Sequence, residues 1–322
     1  PAGYSRLYAA TADGDWAAHA GVARGRVETT EFASPAWAHP VKLNVYLPPA
    51  FRKGKAYPVL VLLHGSGMDA DQWFKTGQVN HFMDNLIAQD LIKPFVIVMP
   101  SSGTTPYTDA SERMITDELP AWLKSRYGLN LKAAQAGVAG MSMGGFGAYH
   151  LALSHPERFG FAFALSSGYI DRALASLKDA PQRLPFKLLL LCGTEDSFIE
   201  GNRAFARALQ QRGSAFYYRE DEGGHDFHYW NHRTTEMLLA ADAYFSRNYA
   251  RHNEDEVKIP AAESLAAHGK PVAVDDALWA KLPGHWVGEW IFADNSMRGR
   301  FEQTITEAKP GHYEGRFSVF DA

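Results

Sequence analysis

Between residues 41 and 249 the chain repeats one alternation: a short apolar run, a turn, a helical stretch, then another apolar run. The strand candidates are "KLNVYLP" (42–48), "PVLVLLHG" (58–65), "FVIVMP" (95–100), "QAGVAGM" (135–141), "FGFAFALSS" (159–167), "FKLLLLCG" (186–193) and "AFYYRED" (215–221). Helices are expected over 79–89, 111–127, 144–155, 202–212 and 229–248. Several runs are almost continuously apolar, which suits strands covered on both faces. Strands alternating with helices predict an α/β fold with a mostly parallel central sheet.

The texture changes after residue 249. Residues 250–277 are charged and rich in alanine, and read as a linker or extended arm. Residues 278–322 alternate aromatic and polar positions around "ADNS" and "KPGHY", a β-hairpin pattern. A stretch of that size is small to fold alone without a disulfide or metal, so it is expected to dock on the main domain, to pair with another chain such as a second copy, or to be the start of a larger module. The expected organisation is therefore an N-terminal extension (1–25), an α/β domain (26–249), the linker (250–277) and a β-rich segment (278–322).

The formal net charge of −4 argues against nucleic acid as a partner. No apolar run approaches the roughly 20 residues that cross a bilayer. The single cysteine, Cys192, excludes an intrachain disulfide and a cysteine-based zinc cluster. The sequence starts at Pro1 rather than at methionine, which leaves a removed leader open. A periplasmic or secreted location is the expectation over a cytoplasmic one.

Chemistry enters at Gly140-Met141-Ser142-Met143-Gly144, a G-x-S-x-G with an apolar strand before it and a small-residue helix after it. That setting places a serine hydroxyl on a tight, strained turn, with helix N-terminal amides beneath it to meet a developing anion. The competing reading is an inert N-cap serine. A serine nucleophile needs a base, usually a histidine oriented by a carboxylate, and the fold's chain order is Ser, acid, His. Downstream, "LLLLCGTEDSF" places Glu195 and Asp196 directly after a strand, and "EGGHDFHYW" places His225 in a glycine-preceded loop. His228 stands three residues on, but no third ligand cluster accompanies the pair, so no metal is expected. "LLHGSGMDADQWF" carries His64-Gly65-Ser66-Gly67, the kind of loop that lends a backbone N–H to an oxyanion. The residue after the nucleophile, Met143, would lend the other. His64 itself reads as structural. Trp73, Trp230 and His228, with Tyr229, lie beside these motifs and are candidate substrate contacts.

Together "VYLPPAF", "LLHGSGMDADQWF", "GMSMGGFGAYHLALSHPERF", "LCGTEDSF" and "GGHDFHYW" resemble, in order, the motifs of the putative-esterase family. That family groups feruloyl esterases, acetylxylan esterases, S-formylglutathione hydrolases and tributyrin esterases, with mycolyltransferases more distant. The likeness spans roughly residues 26 to 249. It implies an α/β-hydrolase fold, Ser142 as nucleophile, His225 as base, Asp196 rather than Glu195 as its orienter, and the amides of Ser66 and Met143 as the oxyanion hole. It implies no cofactor. The loop "HGSGMDAD" departs from feruloyl and xylan esterases, which usually carry a bulky apolar residue after His-Gly, and this weakens any assignment of one acyl group.

The expected function is a serine carboxylic-ester hydrolase acting on acyl or feruloyl esters of carbohydrate, or on short-chain esters. An acyltransferase to a sugar or lipid hydroxyl shares its first half-reaction. A non-catalytic carbohydrate-binding protein on the same fold, with Trp286, Trp290 and Phe292 as a platform, is the reading from another class.

Overall fold

The computed structural model describes residues 4–10, 17–37, 39–252, 284–291, 298–309 and 312–321, with side chains over 17–37 and 39–246. The chain divides into two compact units, one of Trp16–Asn253 and one drawn from Pro1–Asp15 and Glu254–Ala322.

The larger unit is built on eight strands: β1 (Arg26–Phe32), β2 (Val41–Leu47), β3 (Val59–Leu63), β4 (Val96–Pro100), β5 (Ala136–Met141), β6 (Phe161–Leu165), β7 (Lys187–Gly193) and β8 (Tyr217–Asp221). They lie in the order β1-β2-β4-β3-β5-β6-β7-β8. The first two pairings are antiparallel and the remaining five parallel. The helices are α1 (Val79–Ala88), α2 (Asp109–Arg113), α3 (Leu119–Tyr127), α4 (Met143–Ser154), α5 (Ile170–Ser176), α6 (Ile199–Gln211) and α7 (Phe227–His252).

The strand pleat sorts the core into two layers. Val59, Val61 and Leu63 face the layer that holds Leu123 of α3, Phe146 of α4 and Phe205 of α6. Leu60 and Leu62 face the opposite layer, with Phe82 and Met83 of α1 and Met237 and Phe245 of α7. Every residue of β3, β4, β5 and β6 is buried, as expected of strands helix-covered on both sides. Among the described residues no helix is long and apolar enough to cross a membrane.

The sequence expectation of one helix over 111–127 meets a break. A π-type turn, Met114–Glu118, separates α2 from α3. Pro120 sits in the first turn of α3 and has no N–H to give, which suits a helix start and not a helix interior. The 1–25 extension is likewise not one piece. Strand Tyr4–Ala10 pairs antiparallel with Gly284–Ile291, and Arg298–Lys309 and His312–Asp321 complete a four-stranded sheet. Residues from 17 onward join the larger unit instead, where Ala17 O accepts from the Asn85 amide and Gly25 N–H donates to Asp84. Of the expected linker, 253–277 lies outside the described residues, as does Phe292, and α7 runs on into its start.

One charge cluster ties α2 to the end of α4. Glu112 accepts from His150 Nε2 at 2.9 Å on one carboxylate oxygen and from His155 Nε2 at 2.7 Å on the other. Burial alone would push the Glu112 carboxyl up, but the two histidine hydrogen bonds outweigh it and hold the group below the usual glutamate range. A carboxyl whose folded pKa is depressed stabilises the fold above its unfolded pKa, and that contribution is lost as pH falls through the folded value. Glu112→Gln is therefore expected to lower the melting temperature by roughly 2–4 °C at neutral pH. The gap from wild type should close as pH drops below the ordinary glutamate pKa of about 4.3. Thermal melts of both proteins from pH 7 to pH 3 check this, and a constant gap would remove Glu112's charge from the account.

Candidate active site

Ser142 is the residue between β5 and α4, and its backbone sits at φ 55°, ψ −117°. No non-glycine residue takes that conformation without strain. Neighbouring backbone holds it there. Ser142 N–H donates to Leu165 O at 2.9 Å, and Ser142 O accepts from Gly145, Phe146 and Gly168 N–H at 3.0, 3.2 and 2.9 Å. The flanking glycines are required by close approach. A Cβ on Gly140 would run into the carbonyl of Gly144, and one on Gly144 would lie 2.5 Å from Leu63 O and 2.8 Å from His64 O. The inert-cap reading loses ground on the same geometry, since the Ser142 side chain makes no hydrogen bond to the amides of α4.

That side chain bonds to His225 instead. Ser142 Oγ lies 2.9 Å from His225 Nε2, and His225 Nδ1 lies 2.8 Å from Asp196 Oδ2. Asp196, on the loop after β7, is 2% exposed. Burial pushes its carboxyl up. Hydrogen bonds from His225, the Phe198 N–H and the Ser166 hydroxyl outweigh that and bring it below the usual carboxylate range. The group is thus ionised at neutral pH, acceptor-only, and set to take the Nδ1–H of His225. Glu195 is exposed and stands outside this chain of bonds.

The loop leaving β3 lies over the serine. A Cβ on Gly65 would stand 3.5 Å from Ser142 Cβ. Among the described residues, neither the Ser66 nor the Met143 N–H donates to a protein acceptor. His64 is 1% exposed and uses both ring nitrogens within the protein, as a structural histidine should.

The aromatic candidates need correction. Trp73 and Trp230 are 1% and 2% exposed, so they line no surface a substrate could reach. Trp73 Nε1–H donates to Leu63 O at 2.8 Å beneath the site. Trp230 Nε1–H donates to the Ser166 hydroxyl, and its ring stands edge-on to His225 with centroids 5.1 Å apart. Both are packing residues that brace the strand end and the His225 ring. Tyr229 is buried as well. His228 is exposed on α7 and its ring contacts His232 rather than Ser142, His225 or Asp196. Among the described residues no three His, Cys, Asp or Glu side chains form a group able to hold a metal.

The aromatics that do reach solvent here are Phe198 and Tyr169. They are the two large apolar side chains left exposed among the described residues, at 40% and 37%. The Phe198 ring stands edge-on to His225 with centroids 4.8 Å apart, and Tyr169 follows Gly168, whose N–H is on Ser142 O. Buried Asn202 ties their two loops together, accepting from Ser167 N–H and donating to the carbonyls of Ser167 and Phe198. Sequence reading missed both, although Phe198 is only two residues past Asp196 and a post-strand position beside an acid was a usable signal.

Comparison with known proteins follows the same outline. The family model of putative esterases matches residues 34–241. An endo-1,4-beta-xylanase/feruloyl esterase of Xylanibacter ruminicola is 31% identical over 222 residues, 64% of this chain and 30% of that one. An acetyl esterase of Caldicellulosiruptor saccharolyticus is 24% identical over 48% of this chain and 76% of its own length. The chain thus spans less than a third of the xylanase relative. Among solved structures, a ferulic acid esterase superposes with TM-score 0.62 at 23% identity, covering 69% of this chain and 99% of its own. A CE1 ferulic acid esterase from Anaeromyces mucronatus gives TM-score 0.62 at 18% identity over 71% of this chain and 94% of its own. These place the larger unit in the α/β-hydrolase fold.

Proposed function

This chain belongs to the putative-esterase family of α/β-hydrolases, and from that premise we propose that it is a carboxylic-ester hydrolase working through an acyl-enzyme on Ser142. The observation that carries the reading is the unbroken hydrogen-bond chain Ser142–His225–Asp196. His225 Nε2 takes the hydroxyl proton as Ser142 Oγ attacks the ester carbonyl, and Asp196 stabilises the imidazolium that results. The carbonyl oxygen, now anionic, is met by the N–H groups of Ser66 and Met143. Collapse breaks the bond to the alkoxy oxygen, which leaves with the proton from His225. Water, deprotonated by the same base, then releases the acid and restores Ser142.

The substrate class we propose is an acyl or feruloyl ester of carbohydrate, with simple short-chain esters as a second class. Two things support it. The relatives named above are feruloyl and acetyl esterases, and the exposed ring of Phe198 offers apolar surface beside His225, with exposed Tyr169 directly after Gly168.

Intact-mass spectrometry after treatment with a fluorophosphonate tests the nucleophile. One adduct is expected on wild type and none on Ser142→Ala, together with release of acid from acetyl and feruloyl esters by wild type alone. Adding an alcohol acceptor reports transfer as a new ester product. Folded wild type that neither labels nor turns over would overturn the reading.

A further inference from the structure

Attack by Ser142 on an ester needs the Ser66 N–H to point at the reacting carbonyl, yet Ser66 sits in a glycine-flanked loop between Gly65 and Gly67 with no regular ladder to aim it. Its aim is set one atom pair away. The Gly65 carbonyl and the Ser66 N–H belong to one planar trans peptide, so they point in opposite directions and fixing one fixes the other. Gly65 O is fixed twice, accepting from the ring Nδ1–H of His64 at 2.7 Å and from Met68 N–H at 3.2 Å.

His64 is in turn held at every polar atom. Its Nε2 accepts from Ser102 N–H at 2.7 Å. Its backbone N–H donates to the Tyr107 hydroxyl at 3.0 Å, and that hydroxyl donates back to His64 O. Tyr107 is fully buried and lies against α4, where a Cβ on Gly147 would come within 2.5 Å of its ring. Ser102 is anchored through its hydroxyl to Thr105 O and Ser111. Burial also holds the imidazole below the usual histidine range. The neutral ring is the form that donates at one nitrogen and accepts at the other. A protonated ring would turn a second N–H onto the Ser102 N–H.

We infer that His64 is a positioning residue for catalysis: its Nδ1–H bond to Gly65 O orients the Ser66 N–H toward the oxyanion, its Nε2 bond from Ser102 N–H keeps the ring from turning, and the Tyr107 hydroxyl holds the His64 backbone in place. The inference rests on the acyl-enzyme reading. It assigns the histidine a job in the transition state that packing alone would not give it.

The two ends of the ring can be separated. His64→Asn keeps a donor near the Nδ1 position, His64→Gln keeps an acceptor near Nε2 but no donor to Gly65 O, and His64→Leu keeps neither. The measurements are kcat and KM on a short-chain ester, and Ki for phenylboronic acid, which forms a tetrahedral adduct. His64→Leu is expected to lose about 100-fold in kcat, the loss typical of one oxyanion donor. KM should stay within about threefold, and Ki should rise in step with the fall in kcat, because only the tetrahedral state uses the donor. His64→Asn is expected to recover roughly tenfold of the kcat, the worth of one hydrogen bond, and His64→Gln to stay near the leucine variant. Glutamine matching or exceeding asparagine, or kcat falling with Ki unchanged, would overturn the inference. If His64→Leu does not fold, the order of the two amide variants decides. Wild type that fails to label with fluorophosphonate would instead strike the reading beneath.

Discussion

Ser142→Ala and Ser142→Gly are both expected to lose turnover by about 10^6-fold, and the glycine variant is expected to melt higher than the alanine one. Both substitutions remove the hydroxyl and its bond to His225, so that term cancels between them. What differs is the Cβ. At φ 55°, ψ −117° an L side chain is strained by about 1–3 kcal/mol, whereas glycine occupies this region freely. Against this stands glycine's larger loss of chain entropy, about 0.5–1 kcal/mol. The balance favours glycine by roughly 1 kcal/mol, or about 2–4 °C in a domain of this size. Differential scanning calorimetry of the pair reads it directly. A glycine variant no more stable than alanine would mean that the turn holds no strain for the serine to release.

Asp196→Asn is expected to reduce kcat by about 10^4-fold with little change in KM. Asparagine is nearly isosteric and can still accept from Phe198 N–H. Facing His225, however, its amide can present N–H where the carboxylate accepted one. The ring would answer by placing its own proton on Nε2, where it points at Ser142 Oγ and cannot receive the hydroxyl proton. The negative charge that would stabilise the imidazolium is lost as well. Steady-state kinetics with circular dichroism check this, and a loss under tenfold in folded protein would reassign the orienting role.

How much of this was legible beforehand depends on what each segment buries. β3 through β7 could be read because strands covered on both faces are apolar along their length. β1, "RVETTEF", could not, because only Phe32 of its seven residues is buried. Helix α5 went unread because a single short turned segment, "IDRALAS", carries one buried residue, Ala173. Ser142 stood out through Gly140 and Gly144, which let backbone pass close to backbone, and His225 through Gly223, which sits at φ 141° against the Tyr229 ring. The choice of Asp196 over Glu195 came from family likeness, and its physical basis, a buried position with three donors, emerges only in three dimensions. Trp73 and Trp230 misled for a general reason. Tryptophan near a site can face the ligand or brace the wall behind it, and the partners that decide, Leu63 O for Trp73 and Ser166 for Trp230, lie on other strands and loops of the fold.

The small sheet places a constraint on how the protein is made. Tyr4 pairs with Ile291, so its first strand leaves the ribosome long before its partner exists. At about 5–20 residues per second, the larger unit is complete and free to fold while that strand still waits. For an interval on the order of ten seconds or more the strand therefore presents unpaired edges, and it is then that a chaperone or a neighbouring nascent chain has its best chance to capture it.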